Sequence, residues 1–166
     1  MRMNLSIESI APKHFDGLRA ALDSVARERR FLAFTEAPPH EQSRAFYESV
    51  IADGSILLVA VLDGAVVGWC DVLPTHGQAC VHVGSLGMGV IATARGRGIG
   101  TRLLKAAIDA AWAAGLTRIE LVVRADNAGA EALYERNGFI AEGRQQQAFR
   151  VGGVYFDGIS MALLRQ

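Results

Sequence analysis

The sequence predicts a single α/β domain in which the strands of one sheet surround a few helices. Three observations lead there. The chain has 166 residues, enough to bury a core without a disulfide or a structural metal. Apolar residues make up 51% and charged residues 20%, a balance that suits a packed globular protein and excludes extensive disorder. The apolar pattern switches back and forth between strict alternation and three-to-four-residue steps, with no internal repeat and no linker, so residues 1–166 read as one domain.

Leu5 to Ile10 alternates as a strand does, and Phe15, Leu18, Leu22 and Val25 then recur at helical steps. Residues 31–40 form a loop broken by Pro38-Pro39. Residues 41–51, with Phe46, Val50 and Ile51, give a second helix that stops at Asp53-Gly54. Residues 55–62 and 65–73 are rich in Val, Leu and Ile, and the Asp63-Gly64 pair between them is a strong hairpin signal. Residues 80–91 read as a strand with His82, Gly84, Leu86, Met88 and Val90 on one face. Its three glycines, Gly84, Gly87 and Gly89, predict a bulge or a close neighbour.

Residues 99–114 predict a long helix with Ile99, Leu103, Ala107 and Ala111 on one stripe and Gly115 as its stop. Ile119 to Val123 is almost wholly apolar, as in a strand covered on both faces. Residues 128–137 predict a helix ended by Gly138. Strands near 139–149 and 154–164 follow, joined at Gly152-Gly153.

Seventeen Lys and Arg balance seventeen Asp and Glu, so no whole-protein field draws in nucleic acid or an anionic membrane. Any anion must be bound locally. Met1 to Ile10 lacks the apolar core of a signal peptide, and no apolar run approaches the roughly 20 residues that span a bilayer. A soluble cytoplasmic protein is expected. Cys70 and Cys80 form no CxxC pair and have no His-rich spacing beside them, so no metal site is expected and both are read as buried thiols.

The most informative segment is Arg95-Gly96-Arg97-Gly98-Ile99-Gly100, between a predicted strand and the start of the long helix. A helix N-terminus offers unpaired N–H groups and about half a positive charge, and glycines let backbone approach an anion closely. Arg95, Arg97 and Arg102 add positive charge. A dinucleotide fingerprint starting at Gly96 or Gly98 needs a small residue at 101 or 103, where Thr101 and Leu103 stand. A Walker A loop needs a Gly-Lys-Ser/Thr tripeptide, which the chain lacks.

Arg95-x-x-Gly98-x-Gly100 resembles the pyrophosphate loop of the GNAT acetyltransferases. The segment from Asp126 to Phe139 is similar to that family's Asn-x-x-Ala-x-x-Leu-Tyr-x-x-x-Gly-Phe run, here with Asn127, Ala130, Leu133, Tyr134, Gly138 and Phe139. Ala92 departs from the proline common after the strand. The Arg-rich first helix, the Pro38-Pro39 loop and the Arg150-to-Asp157 turn look most like bacterial members that acetylate amino acids or similar small amines. The resemblance implies a central mixed and largely antiparallel twisted sheet of about seven strands, flanked by about four helices and splayed at the cofactor-binding strands.

It also implies acetyl-CoA as cosubstrate, with Met88, Gly89 and Val90 on the pantetheine arm, whose amides polarise the thioester carbonyl. Arg95, Gly96, Arg97, Gly98, Ile99, Gly100 and Thr101 would hold the pyrophosphate, and Asn127, Ala130, Tyr134 and Arg136 would complete the cofactor site. Tyr134 aligns with the tyrosine that protonates the departing thiolate.

Acyl transfer to an amine also needs a proton acceptor. Relatives carry a glutamate on the strand before the bulge, and in this register the position is Gly84. His82 lies on the same face, and its imidazole is a candidate proton acceptor. Glu36 would bind the ammonium or relay its proton, with Asp71, Glu120 and His76 as further candidates. Phe31, Phe34 and Tyr155 are candidate walls of the acceptor pocket.

The leading expectation is an N-acetyltransferase acting on a small-molecule primary amine by direct attack in a ternary complex. Neither cysteine has the neighbours of a nucleophile. A protein or peptide acetyltransferase and a catalytically idle acyl-CoA-binding module are the alternatives. Dimerisation is common in the family, so a homodimer is a further expectation.

Overall fold

Asp63 and Gly64 both take positive φ, 49° and 86°, as a two-residue hairpin turn requires. That turn joins β2 (Ile56–Leu62) to β3 (Ala65–Pro74) and sets the pairing at Leu62↔Ala65 and Val61↔Val66; the register shifts between Val61 and Ala60 and then runs from Ala60↔Gly68 to Ile56↔Val72. The computed structural model describes residues 2–166, with Met1 alone outside them. The other elements are β1 (Leu5–Ser9), α1 (Phe15–Arg27), α2 (His40–Asp53), β4 (Val83–Val90), α3 (Ile99–Ala113), β5 (Arg118–Arg124), α4 (Ala128–Arg136), β6 (Ile140–Val151) and β7 (Val154–Leu164).

The strands form one seven-stranded sheet in the order β1-β2-β3-β4-β5-β7-β6. Only β4 and β5 run parallel, so the sheet is mixed and largely antiparallel as expected. That parallel pair is short. Val83–Ser85 meets Arg118–Glu120, and beyond Ser85 the two strands separate. β4 from Leu86 to Val90 therefore keeps β3 on one side and has no strand on the other.

Both faces of the sheet are packed, because alternate residues of each central strand are apolar. The stripe expected on α3 is buried at Ile99, Leu103, Ala107 and Ala111, against Ala60, Cys70, Val72 and Leu86. On the other face Phe15, Leu18 and Val25 of α1 and Tyr47 and Val50 of α2 cover Leu57, Val59 and Trp69.

The glycines of β4 serve close neighbours. β4 pairs with β3 without any register shift, so there is no bulge between those strands. A Cβ at Gly84 would stand 2.8 Å from Leu116, one at Gly89 2.5 Å from the Trp69 ring, and one at Gly87 3.4 Å from the Asp71 carboxylate. Ser85, Gly87 and Gly89 thus share the α1/α2 face with Asp71 and Trp69, while Gly84 faces α3.

Other expectations need correction. The strand expected over residues 80–91 starts at Val83, because Gln78–Cys80 turns as a short 3-10 helix and leaves Cys80 exposed; only Cys70 is buried. β5 is not covered on both faces. Val122 is 44% exposed, because the sheet opens beside it.

Candidate active site

Where β4 leaves β5, a cleft of about 1330 Å³ crosses the sheet. Met88, Gly89 and Val90 form its edge. The backbone groups that a neighbouring strand would have paired face into it.

At one end stands the glycine loop. Gly96 and Gly98 have φ of 75° and 76°, left-handed values that glycine adopts without strain, and no atom lies within 4 Å of where a side chain would begin at either. The Arg102 N–H bonds back to the Gly98 carbonyl at 3.1 Å, which leaves the earlier amides of α3 without intrahelical partners. Gly100 lies against α4, its virtual Cβ 3.5 Å from Leu133 Cδ2. A glycine-bounded helix N-terminus of this kind holds phosphate groups.

α4 begins at Asn127, whose Oδ1 accepts a hydrogen bond from the Ala130 N–H at 3.2 Å, so the residue caps the helix. The helix carries Ala130, Leu133, Tyr134 and Arg136 to the cleft wall. Tyr134 is buried, its ring 5.6 Å from that of Phe139. Burial, assisted by Cys70 and Asp71 nearby, pushes its phenol well above the ordinary value of 10. It stays protonated and a donor at neutral pH.

Of the residues expected to hold the cofactor, Met88, Gly89, Val90, Arg95, Gly96, Gly98, Ile99, Gly100, Thr101, Asn127, Ala130, Tyr134 and Arg136 line this one cleft. Arg97 does not; its guanidinium points toward Met3 Sδ, 3.9 Å away. Arg95 is present but occupied. It donates to Glu28 Oε1 at 2.8 Å and to the Val90 carbonyl at 2.8 Å, and it lies 4.7 Å from the centroid of Phe31. The guanidinium holds the Glu28 carboxyl below its usual range. Arg95 ties the glycine loop to the end of α1.

The residues expected to move the amine proton lie elsewhere. His82 is exposed just before β4, where its carbonyl accepts from the Thr117 N–H. A strand rise of about 3.3 Å per residue puts it roughly 20 Å from Met88. Glu36 is exposed and 3.5 Å from Arg27, outside the cleft wall. Glu120 pairs with Arg118 at 3.0 Å, and His76 is exposed. Gly84 faces the α3 core, so a carboxylate there would not reach the cleft; the cleft-facing position on that part of β4 is Ser85.

Asp71 is the carboxylate that does line the cleft. It stands opposite Gly87 on β3. Burial raises its carboxyl from 3.8 to about 7, against the pull of the Gly87 amide. The sequence did carry a signal, since Asp71 is the lone charge in an apolar strand.

Around it the walls are aromatic. Phe31 and Phe34, both expected, are joined by Phe46, Tyr47 and Phe149, whereas Tyr155 is exposed on β7, its ring 5.3 Å from Arg150. The cleft thus offers an anion site, unpaired amides along a strand edge, a buried phenol and one carboxylate among aromatic rings.

Residues 19–139 match the acetyltransferase (GNAT) family, and the chain belongs to that family. It is an enzyme of the acyltransferase class. A mycothiol acetyltransferase of Clavibacter michiganensis subsp. michiganensis is 40% identical over 84 residues, 51% of this chain and 26% of that protein, so the chain spans about a quarter of that relative's length. The L-amino acid N-acetyltransferase AaaT of Escherichia coli is 32% identical over 131 residues, covering 76% of this chain and 80% of AaaT.

Among solved structures, a GNAT acetyltransferase from Streptococcus pneumoniae superposes with a TM-score of 0.91 at 28% identity, over 98% of this chain and 100% of its own. yncA of Salmonella typhimurium, solved with its cofactor acetyl-CoA, superposes at 0.91 over 97% and 94% of the two chains; at 19% identity it shows the shared fold.

Proposed function

We propose that this protein transfers the acetyl group of acetyl-CoA to the primary amine of a small molecule, an amino acid or a similar amine, by direct attack in a ternary complex. The observation that carries the reading is the convergence on one cleft of the glycine loop before α3, the unpaired edge Met88–Val90 and the buried Tyr134 hydroxyl.

The residues fit the cosubstrate. Free amides at the start of α3 suit its pyrophosphate, and the edge of β4 suits its extended amide-bearing arm. Amides of that edge polarise the thioester carbonyl as the amine nitrogen attacks. As the carbon–sulfur bond breaks, Tyr134 donates to the sulfur. A free thiol has a pKa of about 8.5, but burial raises a thiol as it raises a phenol, as at Cys70, so the leaving sulfur's proton affinity rises with that of its donor. The same burial makes Cys70 a poor nucleophile, and Cys80 lies outside the cleft lining, which supports direct transfer.

A small acceptor is supported by the aromatic walls, which make a pocket, and by the E. coli relative, whose name gives L-amino acids as its substrates. The test is coenzyme A release from acetyl-CoA with a panel of primary amines, amino acids and peptides. Turnover of small amines is expected. Peptides outcompeting every small amine would move the protein to the peptide class, and acetyl-CoA binding without turnover of any acceptor would make it an idle module.

A further inference from the structure

The acceptor end of the cleft is chemically one-sided. Among the described residues, Asp71, Arg95 and Arg136 are the only charged ones that line it. Both arginines belong to the other end. Arg95 is held by Glu28 and the Val90 carbonyl, and Arg136 lies one helical turn past Leu133, which faces Gly100 of the phosphate-binding loop. What remains around the acceptor is aromatic surface and the Asp71 carboxylate, which forms no ion pair among the described residues.

We infer that the acceptor is a primary amine with an aromatic or bulky apolar body and no carboxylate, and that Asp71 binds its ammonium group and takes the proton released before attack. The inference rests on the acetyltransferase reading and narrows its substrate class.

The geometry supports each part. A half-buried carboxylate without a cation is costly, and a ligand ammonium is the partner that offsets the cost. The absent side chain at Gly87 leaves the carboxylate its room, 3.4 Å from where a Cβ would stand. An amino acid would bring a second charge, a carboxylate, beside the like charge of Asp71, where the described residues place no free cation. Cations over aromatic rings are favoured, so the walls assist an ammonium and not an anion.

The step balances. The ammonium gives one proton to Asp71, which returns it to solvent; the free nitrogen bonds to the thioester carbon and the carbon–sulfur bond breaks. The second nitrogen proton replaces the one that Tyr134 gives to sulfur, so the products are an amide, a thiol and one released proton.

The titratable groups near Asp71 are few. Tyr134 from α4 and Cys70 on its own strand are both pushed up by burial, and Tyr47 of α2 is raised to about 12 for the same reason. β2 and β4 set Leu57 and Gly87 beside it in the sheet. None of these titrates near neutrality, so a neutral-range inflection in the rate belongs to Asp71, whose carboxyl stands at about 7.

The experiment compares matched pairs, 2-phenylethylamine against phenylalanine and tyramine against tyrosine, by coenzyme A release. With the unaltered enzyme, kcat/KM for each amine exceeds that for its amino acid by about 100-fold. Asp71→Asn lowers amine kcat/KM at pH 7 by about 100-fold, leaves the KM for acetyl-CoA within about twofold, and removes the inflection near neutrality. Asp71→Glu recovers part of the loss.

Amino acids used as well as or better than the amines would overturn the inference and leave the acetyltransferase reading standing. Unchanged amine turnover in Asp71→Asn would also overturn it. Failure of every small amine with the unaltered enzyme would sink both. The matched pairs need no variant, so they decide the substrate class even if Asp71→Asn folds poorly.

Discussion

The indole of Trp69 occupies the volume that a side chain at Gly89 would need. Its Cζ2 lies 2.8 Å from where a Cβ at 89 would stand, closer than real Cβ atoms approach one another's neighbours. Gly89 is on the cleft edge and Trp69 lines the cleft wall, so the pair fixes the position of β4 at the site. Gly89→Ala must displace either the ring or the strand. Overpacking of this kind costs about 1–3 kcal/mol, a Tm loss of about 2–12 °C in a domain of this size. The expected outcome is that loss together with a lower kcat, because the amides at the strand edge move with it. Trp69→Phe in the same chain makes room and restores part of both. An unchanged melting curve and kcat for the single variant would show that the strand relaxes freely.

The difference between the two halves of the site shows what the sequence could reveal. The anion-binding end is written in contiguous segments, 95–100 and 127–139, whose spacing sets a loop and a helix directly. Thirteen of the fourteen residues expected to hold the cofactor, the strand edge Met88–Val90 included, line one cleft; Arg97 lies outside it because a side chain on a turn can point either way, and here it points toward Met3. The acceptor end depends on relationships between separate strands. Asp71 matters because Gly87 lies opposite it and because both strands are covered, and neither fact is local. Parity along β4 is legible in the sequence, but which face meets the cleft is not, so the family's glutamate position falls at Gly84 and His82 on that face ranks ahead of Asp71. Glu36 was drawn in by its aromatic neighbours in sequence, yet its partner is Arg27.

Tyr134 tests the chemistry of thiolate departure. Its ring packs on Phe139, and removing the hydroxyl keeps that contact, so Tyr134→Phe is expected to fold with an unchanged KM for acetyl-CoA. kcat should fall about 10-fold or more, a modest share of what proton donation contributes. The measurement is steady-state coenzyme A release, joined by single-turnover kinetics to establish that acyl transfer limits the rate. A full single-turnover rate in the variant would remove the hydroxyl from the mechanism.

Asp71 also couples function to stability. Its carboxyl stands at about 7 in the folded chain against an ordinary 3.8, because burial disfavours the charge. Between those values the folded chain holds a proton that the unfolded chain has lost. Stability therefore falls as pH rises from about 4 to about 7 and levels off above. Asp71→Asn keeps the shape of the protonated acid and never ionises. In the absence of acceptor, the variant should melt close to the unaltered protein at pH 4.5 and above it at pH 8, with the gap opening across the interval between. Thermal melts in constant ionic strength from pH 4.5 to 8.5 measure this. A gap that stays constant with pH would mean that the carboxylate is as well solvated in the cleft as in the open chain, which would deprive it of the neutral-range titration on which its exchange of a proton with an ammonium depends.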